Sequence, residues 1–164
     1  MMIRDATLSD AAAITEIYNH YILTSVATFE LETIDAVDMQ RRINDAVDKG
    51  LPFLVGEHNN SVAGYAYGRP FRPRPGYRHA VEISVYVHPE RHGQGIARAL
   101  YGELIPRLFD NEAHTLIATI ALPNDASVRL HEKFGFTKIG QFQEVGRKFD
   151  RWVDVGYWQL LRRA

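Results

Sequence analysis

Residues able to do chemistry gather in four places along this chain. The first is the run His92-Gly93-Gln94-Gly95-Ile96-Ala97. Two glycines let the backbone come close to a ligand, and a turn that opens a helix presents free N–H groups with the positive end of the helix dipole. Such a turn cradles a pyrophosphate; taken alone, it is equally a plain glycine-rich connection. It is not a Walker loop, because neither Lys-Ser nor Lys-Thr follows Gly95, and Arg98 holds the place of the third glycine of the dinucleotide fingerprint. The second place is Arg69-Pro70-Phe71-Arg72-Pro73-Arg74-Pro75-Gly76-Tyr77-Arg78, with four arginines, three prolines and no acid. A guanidinium fork matches the paired oxygens of an anionic or polar group such as a carboxylate, and proline stiffens the segment presenting it. Arginines here either bind such a group or pair with acids elsewhere.

Glu82 is the third place, the one carboxylate in an otherwise apolar and small-residue stretch. Such a group can act as a general base, and removing a proton from a nucleophile costs roughly 1.4 kcal/mol per pKa unit above working pH. A carboxylate takes that proton directly or through a water; alternatively, Glu82 only anchors an arginine of the neighbouring loop. The fourth is His131, on a short amphipathic segment. An imidazole near its ordinary pKa of about 6.5 can act as an acid at neutral pH, or serve as a buried hydrogen-bonding group. His88 and His92 are four apart, but Pro89 intervenes and no third ligand is evident, so no metal is expected.

These groups need elements to hold them. Val81, Ile83, Val85 and Val87 alternate with Glu82, Ser84 and Tyr86, which predicts a strand ended by Pro89, with Glu82 and Ser84 facing away from the valines. After the glycine turn, Ala97, Leu100, Tyr101, Leu104, Ile105 and Leu108 repeat at helical spacing. Pro106 removes the bond to the Gly102 carbonyl and predicts a kink or an early end. Residues 116–122 read as a buried strand. Residues 124–134 read as a short helix, capped by Asn124 or Asp125 and closed at Gly135. Upstream, Thr7 and Asp10 form a capping signature ahead of a stripe of Ile14, Ile17, Tyr18, Tyr21 and Ile22. A second helix is predicted from near Asp35 to Gly50. A hairpin is predicted over 52–57 and 61–67 across Asn59-Asn60, and two further strands near 137–145 and 153–161. Helices alternate with strands in the middle and hairpins flank them, which implies a mixed α/β fold covered on both sheet faces.

The 164 residues, 46% of them apolar, suit one domain over 1–164. Nineteen basic and twenty acidic residues give a formal net charge of −1, which argues against a nucleic-acid or membrane binder working through bulk charge. No run approaches the roughly 18 apolar residues of a membrane span, and the N-terminus lacks a signal-peptide pattern, so a cytoplasmic protein is expected. Cysteine is absent. A protein thiol therefore cannot carry an acyl group, which excludes a covalent thioester on the protein and favours one-step transfer.

The glycine turn matches five of the six places of Arg/Gln-x-x-Gly-x-Gly/Ala, with His92 the departure, and Asn124 to Phe136 supplies an Asn, a short helix and Gly-Phe. With these motifs the chain resembles the GNAT superfamily of acetyl-CoA-dependent N-acetyltransferases. Ile14 to His20, Val81 to Val87, Ser127 to His131 and Val145 to Asp154 are similar to the branch acting on phosphinothricin, methionine sulfoximine and methionine sulfone. The resemblance implies a central, mostly antiparallel sheet of about six to seven strands. It implies acetyl-CoA as cosubstrate, a small amino-acid acceptor, a homodimer and no metal. By the same resemblance Val85, Tyr86 and Val87 pair with the pantetheine arm. Gly93, Gln94, Gly95, Ile96, Ala97 and Arg98 hold the pyrophosphate, and Asn124 and Lys133 meet the rest of CoA. The acceptor falls to Arg72, with Arg74 second, alongside Phe29, Pro73 and Tyr77. On the adjoining strand it meets Glu82, Ile83 and Ser84. Glu82 is the expected base, and His131 stands where family members place a tyrosine that protonates the departing thiolate. Two other readings are acetylation of a protein N-terminus, which needs a peptide groove, and a non-catalytic CoA sensor, which has no need of Glu82.

Overall fold

A computed structural model describes residues 1–163. Its strands are β1 (Met2–Asp5), β2 (Phe53–His58), β3 (Ser61–Pro70), β4 (Ala80–Val87), β5 (Thr115–Leu122), β6 (Thr137–Lys148) and β7 (Arg151–Leu161). They form one sheet in the order β1-β2-β3-β4-β5-β7-β6. Each neighbouring pair is antiparallel except β4 and β5, which run parallel. Parallel neighbours need a crossover, and the helix between them supplies it.

Helices α1 (Ala11–Thr24) and α2 (Ala36–Asp48) cover one face; α3 (Ile96–Asp110) and α4 (Asp125–Lys133) cover the other. On the first face, Ile14, Ile17 and Ile22 of α1 with Met39 and Ile43 of α2 are buried against Phe53, Val55 and Tyr65. On the second, Leu100, Leu104 and Leu108 of α3 are buried against Val81, Ile83 and Leu116. Each such side chain contributes about 1.5–3 kcal/mol of apolar burial, so the sheet is clamped from both sides.

The local signals behave as their chemistry dictates. Thr7 and Asp10 form the capping box, and Asp35 accepts from the Asp38 amide at the start of α2. Asn59 and Asn60 take φ of 51° and 60°, the left-handed pair that a tight β2–β3 hairpin requires. One expectation is corrected, and one strand was missed. Helix α3 does not end early at Pro106: it continues to Asp110, because Leu108 beyond the proline is fully buried and its burial, with the Asn111 to Arg107 backbone bond, holds the last turn. Strand β1 was not anticipated; with four residues it shows no period, and pairing with Leu54 to Glu57 of β2 recruits it.

Candidate active site

Strands β4 and β5 pair only at Ala80–Thr115, Val81–Leu116 and Glu82–Ile117. Beyond Glu82 the ladder stops, yet β4 stays bonded to β3 as far as Val87, and β5 to β7 as far as Leu122. The two strands thus open a fork in the middle of the sheet, with main-chain donors and acceptors on the edges facing it. Such groups require a partner, and an extended amide-bearing chain is a natural one. A cavity of about 600 Å³ fills the fork.

The predicted cofactor residues surround this cavity. Val85, Tyr86 and Val87 line it from β4, as do Ile83 and Ser84. The glycine turn contributes Gly93, Gly95, Ile96, Ala97 and Arg98, while Gln94 lies in the same turn without lining the cavity. Asn124, His131 and Lys133 line it from the α4 side. Gly93 and Gly95 have φ of 76° and 77°, where any side chain is strained, and a Cβ at either would point into open space. Helix α3 begins directly after Gly95 with no side-chain cap, so its first amides are free to bind an anion. The unpaired strand edges, the open glycine turn and the cations Arg98 and Lys133 together fit a pantetheine arm and a pyrophosphate.

Tyr21 and Arg91 also line the cavity and were not anticipated. The Tyr21 hydroxyl donates to the Val87 carbonyl, so His92 Nε2, 2.8 Å away, is the donor to the Tyr21 oxygen. Tyr21 sits on the apolar stripe of α1, and nothing in its sequence position separates it from core.

Glu82 stands on the other face. Register pairs Arg69 with Glu82 and Tyr67 with Ser84, so these side chains share the side covered by α1 and α2. Glu82 Oε1 accepts from Arg69 Nε at 3.0 Å and from its Nη2, while Oε2 accepts from Thr119 Oγ1 at 3.2 Å. Arg69 and Thr119 therefore fix the carboxylate at the point where the fork begins. Glu82 thus anchors Arg69, one of its two sequence readings, and Oε2 carries a further lone pair besides the one on Thr119. Arg69 lies within the strand rather than the loop; the hairpin register is the signal that marks it.

Arg72, Pro73, Arg74 and Tyr77 lie in the exposed connection from β3 to β4. The Arg72 guanidinium rests 4.7 Å from the Phe71 ring centroid, and Phe71 meets Tyr77 edge to face. Phe29 packs over Gly146 in the loop between α1 and α2. The structure thus groups the cofactor residues in one cavity, with Glu82 at its mouth and the arginine loop outside it.

His131 is buried, and both ring nitrogens are engaged. Nδ1 faces the Ser127 carbonyl at 2.8 Å, so it donates; Nε2 meets the Tyr101 hydroxyl at 3.1 Å. Burial pushes the imidazole below its usual value. At neutral pH the ring is uncharged, Nε2 accepts from Tyr101, and no imidazole proton points into the cavity. This geometry makes His131 a holder of Tyr101 rather than the proton donor expected from its sequence position.

A fork between parallel strands, closed by a glycine turn at a helix N-terminus, defines an acyl-CoA-dependent transferase fold. The chain belongs to the GNAT acetyltransferase family: the family described as "Acetyltransferase (GNAT) domain" matches residues 3–156. It is 42% identical over 160 residues to the L-methionine sulfoximine/L-methionine sulfone acetyltransferase of Salmonella typhimurium, covering 98% of this chain and 94% of that one. It is 42% identical over 147 residues to the phosphinothricin N-acetyltransferase of Alcaligenes faecalis, covering 89% of this chain and 75% of that one. Among solved structures, yncA from Salmonella typhimurium with its cofactor acetyl-CoA superposes with a TM-score of 0.95 at 41% identity, over 98% of this chain and 92% of that one. The ribosomal-protein-alanine N-acetyltransferase from Brucella melitensis superposes with a TM-score of 0.97 at 38% identity, over 99% and 100%.

Proposed function

We propose that this enzyme transfers the acetyl group of acetyl-CoA to the α-amine of a small amino-acid analogue of the methionine sulfone, methionine sulfoximine or phosphinothricin type. The observation that carries this reading is the placement of Glu82, fixed by Arg69 and Thr119 at the opening of the β4–β5 fork. When bound, acetyl-CoA supplies an electrophilic thioester carbonyl. The free amides of β4 near Val87 polarise that carbonyl, and the α3 N-terminus with Arg98 holds the pyrophosphate. Glu82 takes the amine's proton, directly or through a water, and Ser84 on the same face orients the acceptor. The amine nitrogen bonds the acetyl carbon as the C–S bond breaks, and the second proton it sheds goes to the departing thiolate, so CoA leaves as the thiol. Arg72 and Arg74, on their proline-stiffened loop, recognise the acceptor's oxygens, and Phe29 and Tyr77 give apolar contact. His131 keeps Tyr101 in place.

The exposed Ile139, Phe142, Val145, Phe149 and Trp152 on the β6–β7 side support a homodimer. One test addresses the reaction and its substrate together. Purified protein with acetyl-CoA is offered a panel of amino acids, the three analogues and alanine-starting peptides, with thiol release followed. Release with the analogues supports the reading. Release with peptides alone moves it to the activity named for the Brucella melitensis relative, and a flat signal throughout refutes it.

A further inference from the structure

The loop joining α1 to α2, residues 25–35, lies over the Glu82 face. Its Ala27 lines the fork cavity with Ser84, Tyr86 and Thr119, all of which stand on that side. The loop has no helix or strand of its own, so side chains must hold it. Most of those come from its own flanks. Tyr18 bonds Thr28 Oγ1 at 2.9 Å, Asn19 bonds the Ile34 backbone at both its N–H and its C=O, and Arg42 pairs with Glu30 at 2.6 Å.

One anchor comes from the far end of the chain. Lys148, the last residue of β6, donates from Nζ to the Ser25 carbonyl at 2.7 Å and to the Thr28 carbonyl at 2.9 Å. The residue is only 4% exposed. Among the described residues no carboxylate pairs with it. Glu30, in the same loop, and the Phe149 ring, 5.1 Å from Nζ, favour the charge from a distance, but the direct bonds to the buried ammonium come from these two carbonyls, so they hold the cation and the cation holds the loop. Two residues earlier, Gly146 gives a second contact: any Cβ there would overlap the Phe29 ring. The same β6 segment thus fixes both the loop backbone and its aromatic side chain.

We propose that Lys148 and Gly146 clamp the α1–α2 loop and thereby set acceptor affinity, Lys148 acting as a positioning residue that touches no reacting atom. The proposal rests on the reading of the Glu82 face as the acceptor side. Two measurements on the full-length chain test it. Hydrogen exchange of Lys148→Met needs no acceptor: amides within 25–35 are expected to exchange about tenfold faster, while those of β4 and α3 are unchanged. In steady-state assays with the best acceptor found for the wild type, the acceptor KM rises about tenfold and the acetyl-CoA KM stays within about twofold. Lys148→Arg, which keeps the donors and the charge, recovers part of the loss. Unchanged exchange in 25–35, or acceptor and acetyl-CoA KM values rising together, overturns the proposal. Should Lys148→Met fail to fold, Gly146→Ala displaces Phe29 alone and carries the same expectations and the same refuting results. If no amine is turned over by the wild type, the acceptor reading fails by itself, and the exchange result decides whether the clamp exists.

Discussion

Replacing Glu82 with glutamine removes the charge while keeping the shape. Gln Oε1 can still accept from Arg69, and its amide can donate to Thr119 Oγ1, so the two bonds that fix the side chain survive in altered form. The lost ion pair involves an Arg69 side chain that is 58% exposed, so its removal costs no more than about 1 kcal/mol of stability. The catalytic loss is larger. An α-amine with a pKa near 8 is about nine-tenths protonated at pH 7, so a base has to supply at least ~1.4 kcal/mol. A positioned base usually supplies about 10²- to 10⁴-fold, and a fall in kcat of ~10²- to 10³-fold is expected, or ~2.7–4 kcal/mol. Acetyl-CoA affinity stays unchanged, because Glu82 stands on the face opposite the cavity's valines and does not line it. The assay is initial-rate thiol release at saturating substrates from pH 6 to pH 9, with acetyl-CoA affinity measured by calorimetry. The variant's rate should climb about tenfold per pH unit below the amine's pKa, since only free amine then reacts. A kcat within about threefold of wild type, or a parallel loss of acetyl-CoA affinity, would refute a base at this position.

Gly95→Ala forces a side chain onto φ of 77° and should weaken acetyl-CoA binding by about 1–2 kcal/mol, read as a rise in its dissociation constant with the acceptor KM unmoved. Asp10 is held at about 2 by hydrogen bonds from Arg4, against an ordinary 3.8. Because the folded value is the lower one, its contribution is complete above 3.8 and is lost as pH falls towards 2. Asp10→Asn should therefore cost up to about 2 kcal/mol in urea unfolding at pH 7 and nearly nothing at pH 2. His131, pushed down by burial, stays neutral in the folded chain while the unfolded chain takes up a proton, so stability should fall as pH drops through about 6.5. Thermal melts of His131→Gln should lack that component, and its kcat should remain within about threefold of wild type; a larger drop would return the ring to a proton-donating role.

Much of the framework was legible because the signals were local. The alternation in 81–87 placed Glu82 and Ser84 on one face, and the glycine pair before an apolar helical stripe marked an anion-binding turn. The caps at Asp35 and Asn124 bounded α2 and α4, while the Thr7–Asp10 capping box closes a single 3-10 turn, Leu8–Asp10, directly ahead of α1. Each depends on neighbours within a few residues, where backbone geometry and side-chain chemistry act directly. Pro106 shows the limit of such reasoning. A local rule against proline in helices gave way to the burial of Leu108, which depends on where α3 lies across the sheet.

The site divides in the same way. The sequence by itself determined the residue types: the glycine turn, the lone strand carboxylate, the arginine-rich loop and the absence of any thiol. Only the tertiary structure decided which groups meet. The fork exists because the β4–β5 ladder stops after Glu82, and no pattern inside either strand records where its neighbour diverges. Arg69 and Thr119 reach Glu82 through register with β3 and proximity to β5, both set by packing between segments far apart in the chain. His131 turned from a plausible acid into a buried acceptor because Tyr101, thirty residues away, points its hydroxyl at the ring. Lys148 reaches the α1–α2 loop across more than a hundred residues. Hydrogen bonds and burial act over a few ångströms of space rather than a few positions of sequence, so contacts of this kind are settled only once the sheet is assembled.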